Sequence, residues 1–135
     1  MVDNMGFNLC LLAVMFFCHI VDDYYLQSIL ASMKQRSWWE KNAPNALYKN
    51  DYKIALYEHA FSWSFMITLP LLAIALWKGN QWLCGYCCFS YIFNTMYHAY
   101  IDDLKANKHK INLITDQTNH FGQILVTWLF GLIFI

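Results

Sequence analysis

Four long apolar stretches dominate this sequence and limit the folds it can adopt. They run from Met5 to Leu30, from Ile54 to Trp77, from Trp82 to Ile101 and from Asp116 to Ile135. Each has about the 20 residues that a helix needs to cross the hydrocarbon core of a bilayer. A segment in lipid must satisfy its own backbone hydrogen bonds, which favours helices. We therefore expect an all-α fold, a bundle of four transmembrane helices.

Composition supports a membrane class and excludes others. Only 13% of the 135 residues are charged, whereas a soluble domain has about 25%. The chain is too short for two ordinary domains, so residues 1–135 are predicted to form one integral membrane domain. Net charge is zero, which argues against nucleic acid as a partner. The five cysteines all lie in apolar stretches, where cysteine serves as a small apolar residue.

The basic residues predict the orientation. Eight of the nine Lys and Arg residues lie in two connections, 31–53 and 102–115, and only Lys78 lies in the turn between the second and third stretches. Cytoplasmic loops carry this excess, so both termini are expected outside the cytoplasm. Trp38 and Trp39 in the first connection indicate either an interfacial segment at headgroup level or a solvated loop with aromatic anchors.

Histidines and acids gather at the cytoplasmic ends of all four stretches. Three His–Asp pairs are four residues apart, a spacing that puts both side chains on one face of a helix. The first and third stretches end in similar sequences, "HIVDDYYLQ" and "HAYIDDLKAN", which is consistent with a duplicated helical hairpin. The candidate ligands are His19, Asp23, His59, His98, Asp102, Asp116 and His120.

These polar groups need a compensating charge. An ionised carboxylate in the apolar region costs at least about 2.5 kcal/mol, and several occur at one depth. A divalent metal supplies that charge, because imidazole and carboxylate suit zinc, manganese and iron. Seven donors exceed one tetrahedral site, so two ions sharing a bridging carboxylate or water are expected. The alternative source of compensation is a proton or cation transport pathway, in which His and Asp titrate during transport.

The order of the motifs resembles a family of small bacterial and phage membrane proteins of unknown function. It is similar to the group described as predicted inner-membrane metal-dependent hydrolases. The resemblance spans most of the chain, and the matching positions are His19, Asp23 and Gln27; His59; His98, Asp102 and Lys105; and Asp116, Gln117 and His120. It implies a four-helix fold in the bacterial inner membrane with a metal centre. The acids are doubled here, and the four-residue spacing favours Asp23 over Asp22 and Asp102 over Asp103.

The first functional hypothesis is a membrane-embedded, metal-dependent hydrolase. Asp22 or Glu58 would act as general base, and Lys105 would hold an anionic group. Gln27 and Gln117 would orient the substrate or the ligands. A site at headgroup depth favours a phosphoester or lipid headgroup as substrate, with carboxylic esters and amides left open.

Two other classes remain open. One is a non-enzymatic metal or ion transporter or regulatory membrane subunit, which at four short helices would need to form a homo-oligomer. The other is a structural metal that ties the helices together. In every case membrane lipid is an expected partner, since basic loops can contact anionic headgroups.

Overall fold

The computed structural model describes residues 2–135, and side chains from Asn4 onward. Within those residues the chain is helical, with no β-strand, which confirms the all-α class. Six α-helices follow one another, with a π-helical turn after the first and a 3₁₀ turn before the fourth. They are α1 (Val2–Ile20), the π-helical turn (Val21–Leu26), α2 (Ser28–Met33), α3 (Arg36–Asn42), the 3₁₀ turn (Ala46–Tyr48), α4 (Tyr52–Lys78), α5 (Gln81–Ala106) and α6 (Leu113–Gly131).

Helix α4 is the centre of the bundle and packs against both α1 and α5, while α6 packs against α5 and α1. The turn between α4 and α5 is only two residues long, so these helices run antiparallel. Gly79 makes the turn possible with a φ of 63°, a left-handed conformation that glycine adopts without a steric penalty. As a result the end of α5 lies beside the start of α4.

Asparagines begin both later helices. The Asn80 side chain accepts a hydrogen bond from the Leu83 backbone N–H at 3.1 Å, and the Asn112 side chain accepts one from Thr115 at 2.9 Å. Each satisfies a backbone donor that has no partner within its helix, which is the usual role of an N-cap. These caps determine where α5 and α6 start.

The bundle is divided along its length. One half contains an apolar core of buried side chains: Leu11, Met15, Trp63, Ile67, Leu71, Ala75, Leu83, Cys87 and Ile124. The other half, at the ends of α1 and α5 and the beginnings of α4 and α6, buries histidines and acids. The antiparallel order of the helices brings all four of these ends together, as the sequence predicts.

The end of the first apolar stretch differs from a uniform α-helix. Val21–Leu26 form a π-helical turn, a wider turn that often occurs at functional sites. Asp22 is completely buried there, and Asp23 is half-buried. Four-residue spacing favours only Asp23 as an inward residue; the wider turn instead directs both acids toward α4.

Two helical stretches are long and apolar enough to cross a bilayer. They are Asn4–Leu26, with a mean hydropathy of 1.8, and Ala46–Lys78, with 1.7. The first covers the predicted span Met5–Leu30 as far as Leu26, and the second contains the predicted span Ile54–Trp77. The third predicted span, Trp82–Ile101, lies within α5. The fourth, Asp116–Ile135, begins in α6 and continues past its end at Gly131. These helices have 26 and 19 residues and are less apolar than α1 and α4. Four spans therefore stay a prediction.

Candidate metal centre

The polar half of the bundle is organised around the buried carboxylate of Asp102. Its Oδ2 lies 2.9 Å from His59 Nε2, 3.7 Å from His98 Nε2 and 2.5 Å from Lys34 Nζ. Its Oδ1 lies 3.3 Å from His120 Nε2. One carboxylate thus meets side chains from α4, α6 and the segment after α2, as well as a neighbour on its own helix.

Two groups of side chains could each hold a metal ion. One is His59, His98 and Asp102, and the other is Asp102, Asp116 and His120. Within each group the ligand atoms lie within 4.8 Å of one another, and every member is buried. Asp102 belongs to both groups and directs one oxygen to each. A carboxylate between two neighbouring positions is the arrangement expected if two ions share a ligand.

Several atoms of these groups are buried without a hydrogen-bond partner among the described residues. They include both ring nitrogens of His98, Nδ1 of His59 and Oδ1 of Asp116. A buried polar atom without a partner costs about 1–3 kcal/mol. Coordination to an ion would satisfy His98 Nε2 and Asp116 Oδ1. The mixed imidazole and carboxylate donors fit zinc, manganese or iron.

Trp63 orients two of the histidines. Its ring stacks on His98, with centroids 4.1 Å apart and an interplanar angle of 17°. Its Nε1 donates a hydrogen bond of 2.7 Å to His19 Nδ1. The sequence pattern did not indicate this role, although Trp63 follows His59 by four residues and so shares its helix face.

His19 lies beside the two ligand groups but belongs to neither. An indole N–H can only donate, so His19 Nδ1 is the acceptor from Trp63. Nε2 then carries the hydrogen and donates it to Gln117 Oε1 at 3.1 Å. Asp23 also lies outside the groups, with Oδ1 3.6 Å from His59 Nε2 and Oδ2 3.4 Å from Gln117 Nε2. Of the seven predicted ligands, the structure brings five into the two groups.

The predicted general bases have different surroundings. Asp22 accepts hydrogen bonds from Ser62 Oγ at 2.7 Å and from Gln27 Nε2, and Gln27 also donates to the His59 carbonyl at 3.2 Å. Both Asp22 oxygens are therefore already engaged. Glu58 is exposed on α4, next to His59 in sequence but not turned inward with it.

Two lysines reach the acids of the centre. Lys105 Nζ lies 2.6 Å from Asp116 Oδ2, in agreement with its predicted place near the site. Lys34 was predicted only as one of several basic loop residues, yet it contacts both Asp102 and His59. No periodicity distinguishes it from the other basic residues of the first connection, so its position became visible only in the folded chain.

A cavity of about 350 Å³ opens over the centre. Its lining includes Asp102, Asp23, Lys34, Lys105 and Gln117. Of the residues in the two ligand groups, Asp102 is the one that lines this cavity. The shared carboxylate and both lysines are therefore accessible to a ligand in this cavity.

No protein-family model, curated protein or solved structure matches this chain. The resemblance to small bacterial and phage membrane proteins stays a prediction from the motifs.

Replacing Trp63 with Phe tests the position of His19. The Phe ring keeps an aromatic surface against His98 but removes the donor to His19 Nδ1. We expect the variant to lose about 1–3 kcal/mol of unfolding free energy, measured by denaturant unfolding of the purified protein. Trp82→Phe, at a residue that is 81% exposed, should change it by less than about 0.5 kcal/mol. In ¹⁵N-histidine NMR of the wild type, His19 should carry its hydrogen on Nε2; a hydrogen on Nδ1 would contradict the assignment.

Proposed function

We propose that this protein is a membrane-embedded, metal-dependent hydrolase whose centre lies near the cytoplasmic face. Its substrate would be a phosphoester or a molecule resembling a lipid headgroup. One observation carries the proposal: the Asp102 carboxylate is shared by two groups of buried His and Asp ligands beneath a cavity lined by lysines.

The distribution of polarity supports a bundle in which all four long helices cross the membrane. Helices α5 and α6 turn large apolar side chains outward, such as Phe89 (67% exposed), Ile92 (66%) and Phe130 (56%). Meanwhile the interior buries His, Asp, Asn and Gln. Soluble proteins rarely expose apolar patches of this extent. At 1.5 Å per residue, α5 and α6 are about 39 and 29 Å long, which suits a core of about 30 Å.

The depth of the centre follows from this topology. If the basic connections face the cytoplasm, the ends of α1 and α5 and the beginnings of α4 and α6 lie at the inner membrane surface. The cavity then opens at the level of lipid headgroups. Both termini lie outside the cytoplasm, and the membrane is the bacterial inner membrane.

The ligand groups provide places for zinc, manganese or iron. When bound, such an ion supplies Lewis-acid activation of water and of the scissile bond. Among the acids outside the ligand groups, Asp23 lines the cavity and is the best placed to accept a proton from water. Asp22 has both oxygens in hydrogen bonds, and Glu58 faces outward, so neither is proposed as the base.

The lysines favour an anionic substrate. Asp23, Asp102 and Asp116 contribute three negative charges, and Lys34 and Lys105 contribute two positive ones. One bound divalent ion already makes the sum of these groups positive, and a second adds to it. A phosphate group compensates such a charge, and lysine binds phosphate as a point charge. Gln117 lies at the cavity wall, and its Nε2 donates to Asp23 and Asp116, so it orients these acids beside the substrate.

Cysteine labelling tests the topology. In a chain whose five native cysteines are replaced, Ser37→Cys and Gln81→Cys introduce single thiols at exposed positions on opposite sides of the proposed membrane. A membrane-impermeant maleimide should label the Gln81→Cys variant on intact bacteria. It should label the Ser37→Cys variant only after lysis, because the basic connection is cytoplasmic. Equal labelling of both variants before lysis, or the reverse pattern, would contradict the topology.

Replacement of His98 with Ala tests the metal centre. Among the described residues, His98 has no hydrogen-bond partner for either nitrogen, so we expect the variant to fold and to lose at least one ion per chain, measured by elemental analysis. Turnover of p-nitrophenyl phosphate or bis(p-nitrophenyl) phosphate should also disappear. Glu58→Gln is the control, since an exposed side chain outside the centre should leave metal content and turnover unchanged. A His98→Ala protein with full metal content would refute the ligand assignment.

A second candidate function, ion transport, is favoured by one observation. A chain of buried polar contacts leads from the centre toward the opposite end of the bundle. His120 Nδ1 lies 3.5 Å from Gln123 Oε1, Gln123 Nε2 donates to Asn94 Oδ1 at 3.1 Å, and Asn94 Nδ2 donates to Thr127 Oγ1 at 2.8 Å. Such a chain is typical of ion pathways, although it also orients His120 from behind.

Flux measurements separate transport from hydrolysis. In proteoliposomes containing wild-type protein, a transporter should move manganese or zinc across the membrane, and Asp116→Asn should abolish that flux by removing a charged ligand. Thr118→Ala, on the same helix but outside both ligand groups, should retain it. No flux above protein-free vesicles, together with phosphoester turnover, is the outcome expected from a hydrolase.

A further inference from the structure

Lys34 occupies a position that a metal ion would take. Its Nζ lies 2.8 Å from His59 Nε2 and 2.5 Å from Asp102 Oδ2. These two atoms are ligand atoms of the same group. An ion bound to them would sit about 2.0–2.2 Å from each, in the space where the ammonium now lies. Since two cations so close repel strongly, the ammonium and an ion cannot occupy this position together.

The ammonium satisfies this ligand group only in part. His98, the third member, is completely buried, and neither of its ring nitrogens has a hydrogen-bond partner in the part of the chain that the structure describes. Neutralising Asp102 with a lysine does not satisfy this imidazole, whereas an ion bound to all three residues would. The geometry is therefore that of a three-ligand position. The singly charged ammonium of Lys34 contacts two of the three ligands, His59 and Asp102.

The backbone around Lys34 is held in place over the centre. Asn107, immediately after α5, donates a hydrogen bond to the Lys34 carbonyl at 3.2 Å and accepts one from the Arg36 N–H at 2.7 Å. Trp39 Nε1 donates to the Met33 carbonyl at 2.7 Å. The two Asn107 bonds connect residues 34–36 to the end of the helix that carries Asp102, and the Trp39 bond holds Met33 against α3. With a side chain only 13% exposed, Lys34 is built into the site.

The second ligand group is arranged differently. Lys105 contacts Oδ2 of Asp116, whereas the other oxygen, Oδ1, faces His120. The Lys105 side chain is 34% exposed. Asp116 Oδ1, 3.4 Å from His120 Nε2, has no hydrogen-bond partner within residues 4–135. Lys105 therefore leaves the space between Asp102, Asp116 and His120 open to an ion.

We propose that Lys34 is a built-in cation that fills the His59–His98–Asp102 position until a second ion displaces it. The two positions then fill in order, with the first ion at Asp102, Asp116 and His120. The second ion moves Lys34 into the cavity, where it joins Lys105 facing the anionic substrate. This inference rests on the metal centre of the proposed function, and the order of filling extends it.

Metal titration of stripped protein tests the order. We expect wild-type protein to bind two Co²⁺ ions with unequal affinity. Calorimetry and the visible absorption of the bound ion measure both binding steps. Lys34→Met, which keeps a side chain of similar length without charge, should raise the affinity for the second ion by ~10-fold or more, and by more than it raises the affinity for the first. Lys41→Met is the control, because Lys41 is exposed in the same connection.

Two further measurements distinguish an effect of the Lys34 charge from misfolding of the variant. Lys34→Arg keeps the positive charge and should retain the unequal affinities. In wild-type protein, acetic anhydride followed by mass spectrometry should modify Lys34 only after the second ion binds, whereas Lys41 reacts throughout.

The outcomes are distinguishable. Equal affinities in the wild type, or a second affinity that Lys34→Met leaves unchanged or lowers, would overturn the role of Lys34 while the metal centre stands. Acetylation of Lys34 in the stripped protein at the rate of Lys41 would also overturn it. No binding of Co²⁺ by the wild type or Lys34→Met would remove the metal centre, and the inference with it.

Discussion

The buried Asp102 carboxylate holds the polar ends of the long helices together. A charge in a low-dielectric interior is stable only when opposite charges and hydrogen-bond donors surround it. Asp102 receives these from His59, His120 and Lys34, which come from three different parts of the chain. Long helices must therefore meet at this level, and their remaining length is free to pack an apolar core.

The division of the bundle into a polar and an apolar half separates two tasks. The apolar half, around Leu71, Leu83 and Ile124, holds the helices together mainly through apolar packing. The polar half can then keep groups such as His98 without a hydrogen-bond partner among residues 4–135, at a cost that packing elsewhere offsets. Unsatisfied buried donors in a well-packed fold are expected of a site prepared for binding, and they support the proposed metal centre.

The surroundings of the centre also bear on its chemistry. Trp63 fixes the ring of His98 by stacking, and Gln117 connects His19, Asp23 and Asp116 through its amide. Contacts of this kind orient ligands and tune them. A catalytic site needs that orientation together with an opening to substrate, and the cavity over Asp102 provides the opening. The proposed hydrolase accounts for this cavity and its two lysines, which a metal that only ties helices together would not need.

The helical class, the alignment of the polar helix ends and five of the seven candidate ligands that the structure groups together could be predicted from the amino-acid order alone. Residues four apart share a helix face whatever the tertiary fold, so the pairs His98–Asp102 and Asp116–His120 could be read directly. Only the tertiary structure gives the distances between helices. It shows that Asp102 belongs to both ligand groups, that Trp63 donates to His19 and that Lys34 contacts Asp102. It also set the orientation of Asp22, because a π-helical turn changes the direction of consecutive side chains. Helical periodicity describes one helix at a time, whereas these contacts arise only when separate segments pack.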